Sequence, residues 1–268
     1  MKALVINLKT APERRKFQLY QLKELGIEFE FSDAETASKA PTLRSEEYWM
    51  TGVRPLKDTE KACLISHWNC WNKIVKANEP MLVLEDDAFL SIKTPQLLRA
   101  IKNLTGIDIL NLETRHRRVL LKKSPEQLSG LYQLLLNRDG AAAYLLWPSG
   151  AQKMIEKTNR KAGIADAMLW TSFELHAYQM NPALALQSDK CENYGISNPL
   201  ETRSSIATDE IHPRDKPSGR SEYFKFRFRR FLEQLHLAQP MVFNYFSSEK
   251  KYLEIVKDDF DYLAKYKG

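Results

Sequence analysis

The sequence predicts an α/β fold around a mainly parallel central sheet, and three observations carry that expectation. Along residues 1–190, apolar runs of strand length alternate with stretches of helical periodicity. Gly and Pro punctuate the junctions between them. Polar residues stand at the ends of several apolar runs, at Asn7, Glu85 and Asn111, and open α/β sheets bind their ligands just beyond the carboxyl ends of strands.

The elements follow in order. Residues 3–8 form the first strand, and residues 11–25 a helix that Thr10 and Pro12 open and Gly26 stops. A second strand covers 27–31. Residues 32–57 hold no sustained period and carry Pro41, Gly52 and Pro55, the mark of a long loop with short helical turns. From 59 to 77, Leu64, Trp68, Trp71 and Val75 recur at helical spacing, with Asp58 or Thr59 as the cap and Asn78 and Pro80 at the end. A strand at 81–84 comes at once. A helix starting near Thr94-Pro95, a strand at 108–112 and a hairpin pairing 119–121 with 131–135 follow. A strand at 141–146 and a helix after Pro148 complete the pattern.

Composition shifts over 188–220, which is rich in Ser, Pro, Asn and charge and reads as loop or lid. The chain is therefore divided into a domain of residues 1–190 and a C-terminal extension of 191–268. Within the extension, Tyr223, Phe224, Phe226, Phe228 and Phe231 interleave with Lys225, Arg227, Arg229 and Arg230. Two readings stay open: an interfacial helix with aromatics toward lipid and cations toward headgroups, or a short edge strand.

The formal charge is +6 and unevenly spread. Residues 213–230 hold seven Lys/Arg against two acids, and residues 114–123 hold five Lys/Arg and no acid. The rest of the chain is net acidic, which argues against general nucleic-acid binding and for localised anionic partners such as a membrane surface. No apolar run is long enough for a transmembrane helix, and the first residues are too short for a signal peptide. Cys63 and Cys70 have neither metal-ligand nor redox spacing, so the three cysteines read as free thiols of a cytoplasmic protein.

The functional signal is Glu85-Asp86-Asp87 behind the apolar run 81–84. Such a cluster repels itself unless a cation neutralises it. In extended backbone Glu85 and Asp87 point one way and Asp86 the other. Hard oxygen ligands at that spacing suit a divalent metal whose open positions take the oxygens of a diphosphate.

The wider pattern carries a resemblance. The run Glu60-Lys61-Ala62-Cys63-Leu64-Ile65-Ser66-His67, then Trp71-Asn72-Lys73, then Leu84-Glu85-Asp86-Asp87 resembles the signature of glycosyltransferase family 25. Further blocks agree in order and spacing: Val5-Ile6-Asn7-Leu8 with Glu13-Arg14-Arg15, Asn111-Leu112-Glu113-Thr114, Gly140-Ala141-Ala142-Ala143-Tyr144, Asp166-Ala167-Met168-Leu169 and Asn181-Pro182-Ala183-Leu184-Ala185. In relatives the fourth segment often has Gly or Thr where this chain has Ala. The resemblance covers about the first 190 residues.

It implies a GT-A-type nucleotide-sugar-binding fold and an inverting, metal-dependent galactosyltransferase of lipooligosaccharide or lipopolysaccharide. The donor would be UDP-galactose, the metal Mn²⁺ or Mg²⁺, and the place of work the inner face of a bacterial inner membrane. Asp87 and Glu85 are expected as metal ligands, with Asp86 and Glu85 also orienting ribose, donor sugar or metal-bound water. Asn7 and Arg14 are expected at the nucleotide, and Ser66 and His67 in the site. Glu113 would bind donor hydroxyls or lock a cation. Asp166, preceding a helical pattern, is either an N-cap or the base, with Glu174 the weaker base. His212 is expected as a further metal ligand on imidazole chemistry alone. Alternatives are another UDP-hexose, a protein acceptor such as hydroxylysine, or a non-catalytic module binding anionic membrane or nucleic acid.

Overall fold

The computed structural model describes residues 1–102, 104–126, 128–200, 211, 216, 217 and 219–266. Strands β1 (Ala3–Asn7) and β2 (Phe29–Asp33) flank helix α1 (Pro12–Glu24). Pro12 sits at the helix start, where its missing N–H costs nothing, and Gly26 follows the end at φ +62°. The loop beyond β2 holds a 3-10 turn (Ala40–Leu43) and the short helix α2 (Glu46–Trp49). Helix α3 (Asp58–Ala77) then leads into β3 (Met81–Glu85). Its N-cap is Lys57 rather than Asp58 or Thr59. The Glu60 carboxylate accepts the Lys57 amide at 2.9 Å and does the capping from inside the helix.

Beyond β3 come β4 (Ala88–Leu90), α4 (Thr94–Ala100), β5 (Ile109–Asn111), β6 (Glu113–Thr114), β7 (Arg118–Lys122), β8 (Leu131–Leu136) and β9 (Ala143–Leu146). Helices α5 (Pro148–Arg160) and α6 (Ala165–Trp170), strands β10 (Ala177–Met180) and β11 (Ala185–Gln187), and helix α7 (Cys191–Tyr194) follow. The last elements are helix α8 (Arg220–Phe243), strand β12 (Ser248–Tyr252) and a 3-10 segment (Lys257–Lys265).

The main sheet runs β12-β7-β8-β10-β5-β9-β3-β1-β2. It is mixed, which corrects the expectation of a mainly parallel sheet. Parallel pairing holds for β2, β1 and β3 and for β10 with β5. Strand β9 lies antiparallel between β3 and β5, and β10, β8, β7 and β12 are antiparallel in turn. Helices α1 and α3 supply the crossovers that the parallel neighbours β1, β2 and β3 need, whereas the hairpin joining β7 to β8 can only reverse. A second sheet, β4-β11-β6, covers the carboxyl end of β3.

Alternation along β3 divides the core. Val83 joins Leu64, Trp71, Tyr144 and Met168 on one face, while Leu82 and Leu84 join Leu22, Leu98 and Leu110 on the other. The 3-10 segment brings Phe260, Tyr262 and Leu263 against Phe17, Phe89 and Leu186.

The aromatic-cationic stretch is a helix, which closes the edge-strand alternative. Phe224 and Phe228 lie one turn apart and stack at 6.4 Å, while Phe226 faces inward and is buried. Phe224, Phe228, Phe231 and Leu235 make an exposed apolar stripe along α8.

Candidate active site

The site forms where β1 and β3, parallel neighbours, end together. Glu85 is the last residue of β3 and is paired with Ile6, beside Asn7. Its amide donates to Ala142 of the adjoining β9 approach at 2.9 Å, so the backbone stays pinned as the chain turns through Asp86 and Asp87. As the alternation requires, Asp86 turns toward α1. It accepts from Asn7 Nδ2 at 2.8 Å and from Arg14 Nη1 at 2.9 Å. Arg14 also reaches Asp87 at 3.5 Å. Burial raises the Asp86 carboxyl despite Arg14, and burial with the Glu85 charge raises Asp87.

Glu85 and Asp87 share one partner. Gln187 Nε2, at the end of β11, donates to Glu85 Oε2 at 2.7 Å and to Asp87 Oδ1 at 3.3 Å. Two carboxylate oxygens thus converge on the Gln187 amide, and burial, with the Glu85 charge second, raises Asp87. The donor set is hard oxygen and under-neutralised, which fits Mn²⁺ or Mg²⁺. On its other side Glu85 Oε1 lies 3.2 Å from His67 Nε2. Burial pushes the Glu85 carboxyl up, but His67, Arg115 and Arg14 together hold it below its ordinary value. Ser66 faces the same cleft, donating to Ala62 and accepting the Glu35 amide at 2.9 Å. This cleft, about 580 Å³, is lined by Arg14, Ser66, His67, Glu85 and Asp86 among others.

Across Glu85 lie the remaining carboxylates. Glu113 is buried; Oε2 accepts the Ala142 amide at 2.9 Å and Oε1 faces Arg115 at 3.4 Å. The Glu113 side chain has no exposed surface. Burial pushes Glu113 to about 8 in spite of Arg115. Gly140 makes room for it: φ is +92°, and a Cβ there would sit 2.7 Å from Glu113 Oε2. Asp166 lies inside α6 instead of capping it; the N-cap is Ile164. Its Oδ2 accepts the Gly140 amide at 2.8 Å, and burial and Glu85 raise its pKa. Asp166 lines a second cleft of about 260 Å³ with Arg115, Arg117, Asp139 and Lys190.

Arg14, Ser66, His67, Glu85 and Asp86 thus line the larger cleft and Asp166 the smaller, while Asn7 bonds to Asp86, Asp87 pairs with Arg14 and Glu113 pairs with Arg115. His212 falls outside the described residues. Sequence reasoning missed Gln187, Arg115, Gly140 and Tyr144. Gln187 had a signal, being the first polar residue after the apolar run 183–186, and Arg115 stands two residues beyond Glu113.

A model of glycosyltransferase family 25, described as an LPS biosynthesis protein family, matches residues 1–170. The chain is 27% identical over 216 residues to the lipooligosaccharide biosynthesis protein lic2B of Haemophilus influenzae, covering 74% of this chain and 81% of that protein. It is 25% identical over 252 residues to the lipooligosaccharide biosynthesis protein lex-1 of the same species, covering 76% and 83%. It is also similar to procollagen galactosyltransferase 1-B of Xenopus laevis, 27% identical over 168 residues, but spans only 27% of that protein. The match over residues 1–170 shows that the chain belongs to glycosyltransferase family 25 and is a transferase.

Proposed function

We propose that the chain is an inverting, metal-dependent hexosyltransferase of GT-A type that moves galactose from UDP-galactose onto a lipooligosaccharide or lipopolysaccharide core. The observation that carries this reading is the meeting of Asn7, Arg14, Glu85, Asp86 and Asp87 at the carboxyl ends of two neighbouring parallel strands, beside a cleft of nucleotide-sugar size. Asp87 and Glu85 would hold Mn²⁺ or Mg²⁺, which supplies positive charge to the departing diphosphate. Asn7 and Arg14 hold Asp86 and steady this end of the cleft. Asp166 serves as base. Burial and Glu85 raise its affinity for a proton, which suits it to take one from an acceptor hydroxyl, and the smaller cleft gives the acceptor room beside it. Glu113 positions Arg115, which lines the smaller cleft.

The acceptor class rests on relatives of which this chain spans about four fifths, both lipooligosaccharide biosynthesis proteins. A protein acceptor is less favoured, since the procollagen enzyme shares only a quarter of its length. Among the described residues no helix is long and apolar enough to cross a membrane. The exposed stripe on α8, bordered by Lys225, Arg227 and Arg230, would hold the enzyme peripherally on an anionic cytoplasmic surface. The division into a domain of residues 1–190 and an extension of 191–268 belongs to the same reading, the extension serving that surface.

The test is incubation with a panel of labelled UDP-hexoses and truncated core oligosaccharides, with Mn²⁺ and after chelation. Transfer from UDP-galactose that chelation stops is the expected outcome. Transfer to hydroxylysine peptides and to no core acceptor would move the assignment to protein. Neither transfer nor hydrolysis of any nucleotide sugar would remove the reading altogether.

A further inference from the structure

Cys63 and His67 stand four residues apart on α3 and so share a helix face. That face meets Glu85. Cys63 Sγ is 3.9 Å and His67 Nε2 is 3.2 Å from the same oxygen, Glu85 Oε1. The three ligand atoms lie within 4.8 Å of one another. Bond lengths of about 2.0–2.3 Å in a tetrahedral zinc site put neighbouring ligand atoms roughly 3.3–3.7 Å apart. The imidazole and carboxylate already stand at about that separation, and a movement of Cys63 of about 1 Å completes the set.

The surroundings hold the ligands in place. His67 Nδ1 lies 2.8 Å from the Tyr144 hydroxyl, which also accepts the Trp71 indole N–H at 2.9 Å. This buried network fixes the ring with Nε2 toward Glu85, as outer partners of metal-bound histidines do. The other carboxylate oxygen of Glu85, Oε2, belongs to the Gln187 and Asp87 side. Glu85 therefore offers one oxygen to a hard-oxygen pair and the other to a thiol and an imidazole. The two sets select different ions, because sulfur and imidazole favour Zn²⁺ whereas carboxylates alone suit Mn²⁺ or Mg²⁺.

We propose that Cys63, His67 and Glu85 form a zinc site separate from the oxygen-ligand ion site, with Glu85 presenting one oxygen to each. Binding displaces the Cys63 proton to solvent and forms bonds from sulfur, nitrogen and oxygen to Zn²⁺. All three residues line the 580 Å³ cleft, so the fourth position of the ion opens into it and is free for water or an anionic ligand.

The test titrates the metal-stripped full-length chain with Co²⁺, a spectroscopic stand-in for Zn²⁺. One equivalent should give a thiolate-to-cobalt charge-transfer band that one equivalent of Zn²⁺ bleaches. Cys63→Ser should lose the band and weaken Zn²⁺ binding at least about tenfold, since losing even an outer-shell partner costs that much. Asp87→Asn should keep the band. Cys70 and Cys191 are both buried; a band absent from the wild type, or surviving Cys63→Ser, overturns the proposal. If Cys63→Ser proves unfolded by circular dichroism, alkylation of Cys63 in the wild type decides, followed by peptide mass spectrometry. Zn²⁺ should slow it at least about tenfold, and a rate unchanged by Zn²⁺ overturns the site. No nucleotide sugar enters these measurements, so the zinc site and the transferase reading fail independently.

Discussion

At the scale of single residues, Asp87 and Asp166 separate charge compensation from proton transfer. The side-chain partners of Asp87 are Arg14 and Gln187, both polar. Asp87→Ala is expected to keep the fold and lower transfer about a hundredfold or more, the scale of losing one main electrostatic stabiliser. Circular dichroism and UDP-release kinetics check both halves, and wild-type turnover surviving exhaustive chelation would refute the metal role. For Asp166 the informative change is to Asn. The amide oxygen still accepts the Gly140 N–H but cannot take a proton. Melting temperature should hold while the rate drops about 10²–10⁴-fold with UDP affinity retained. A near-normal rate would return Asp166 to fixing the Gly140 turn. Asp87 was legible from the carboxylate run read together with the blocks around it, and Asp166 from the resemblance that its own block carries. Gly140 and Tyr144 were not, since their importance depends on what approaches them: the Glu113 carboxylate in one case, the His67 ring in the other.

At the scale of elements, the long apolar strands and helices were readable along the chain, whereas strand directions and the short strands β4, β6, β10, β11 and β12 were not. The apolar runs that became β3 and β9 are buried on both faces, and such a run reads the same whichever way it is laid. Helix α8 was ambiguous because a short alternation of aromatics and cations satisfies a strand period locally. Its full length of 24 residues and the inward Phe226 decide for helix. The helix also shows which cations stay exposed. Arg229 is spent on the Met50 and Gly52 carbonyls, whereas Lys225, Arg227 and Arg230 are exposed beside the apolar stripe. Changing those three to Gln removes roughly 1 kcal/mol each at an anionic surface, so binding to phosphatidylserine vesicles should fall about a hundredfold at low salt. Transfer to a lipid-anchored acceptor should slow and transfer to a short soluble one should not. Equal loss on both would place α8 in the folding or the chemistry instead of at the membrane.

At the scale of the whole molecule, five carboxylates (Glu85, Asp86, Asp87, Glu113 and Asp166) lie close enough to act on one another's charge, with Arg14 and Arg115 as nearby guanidinium cations. The fold keeps four of them at raised proton affinity, chiefly through burial. A carboxyl whose folded pKa exceeds its unfolded one binds more protons when folded, so its contribution to stability falls as pH rises between the two values. For Glu113 that window runs from 4.5 to about 8. Glu113→Gln carries no titrating group there and should gain stability relative to the wild type as pH climbs from about 5 to about 8, whatever fixed cost the amide adds beside Arg115. A divalent cation acts on the same surplus charge. It competes with protons at low pH and meets the ionised cluster at high pH, so its stabilisation grows with the ratio of free metal to apparent dissociation constant. Added Mn²⁺ should therefore raise the melting temperature of the wild type more at about pH 8 than at about pH 5.5, and raise that of Asp87→Ala little at either. Scanning calorimetry of the two proteins at both pH values reads all four shifts. An equal Mn²⁺ shift at both pH values, or a full shift retained without Asp87, would mean the ion binds away from these carboxylates.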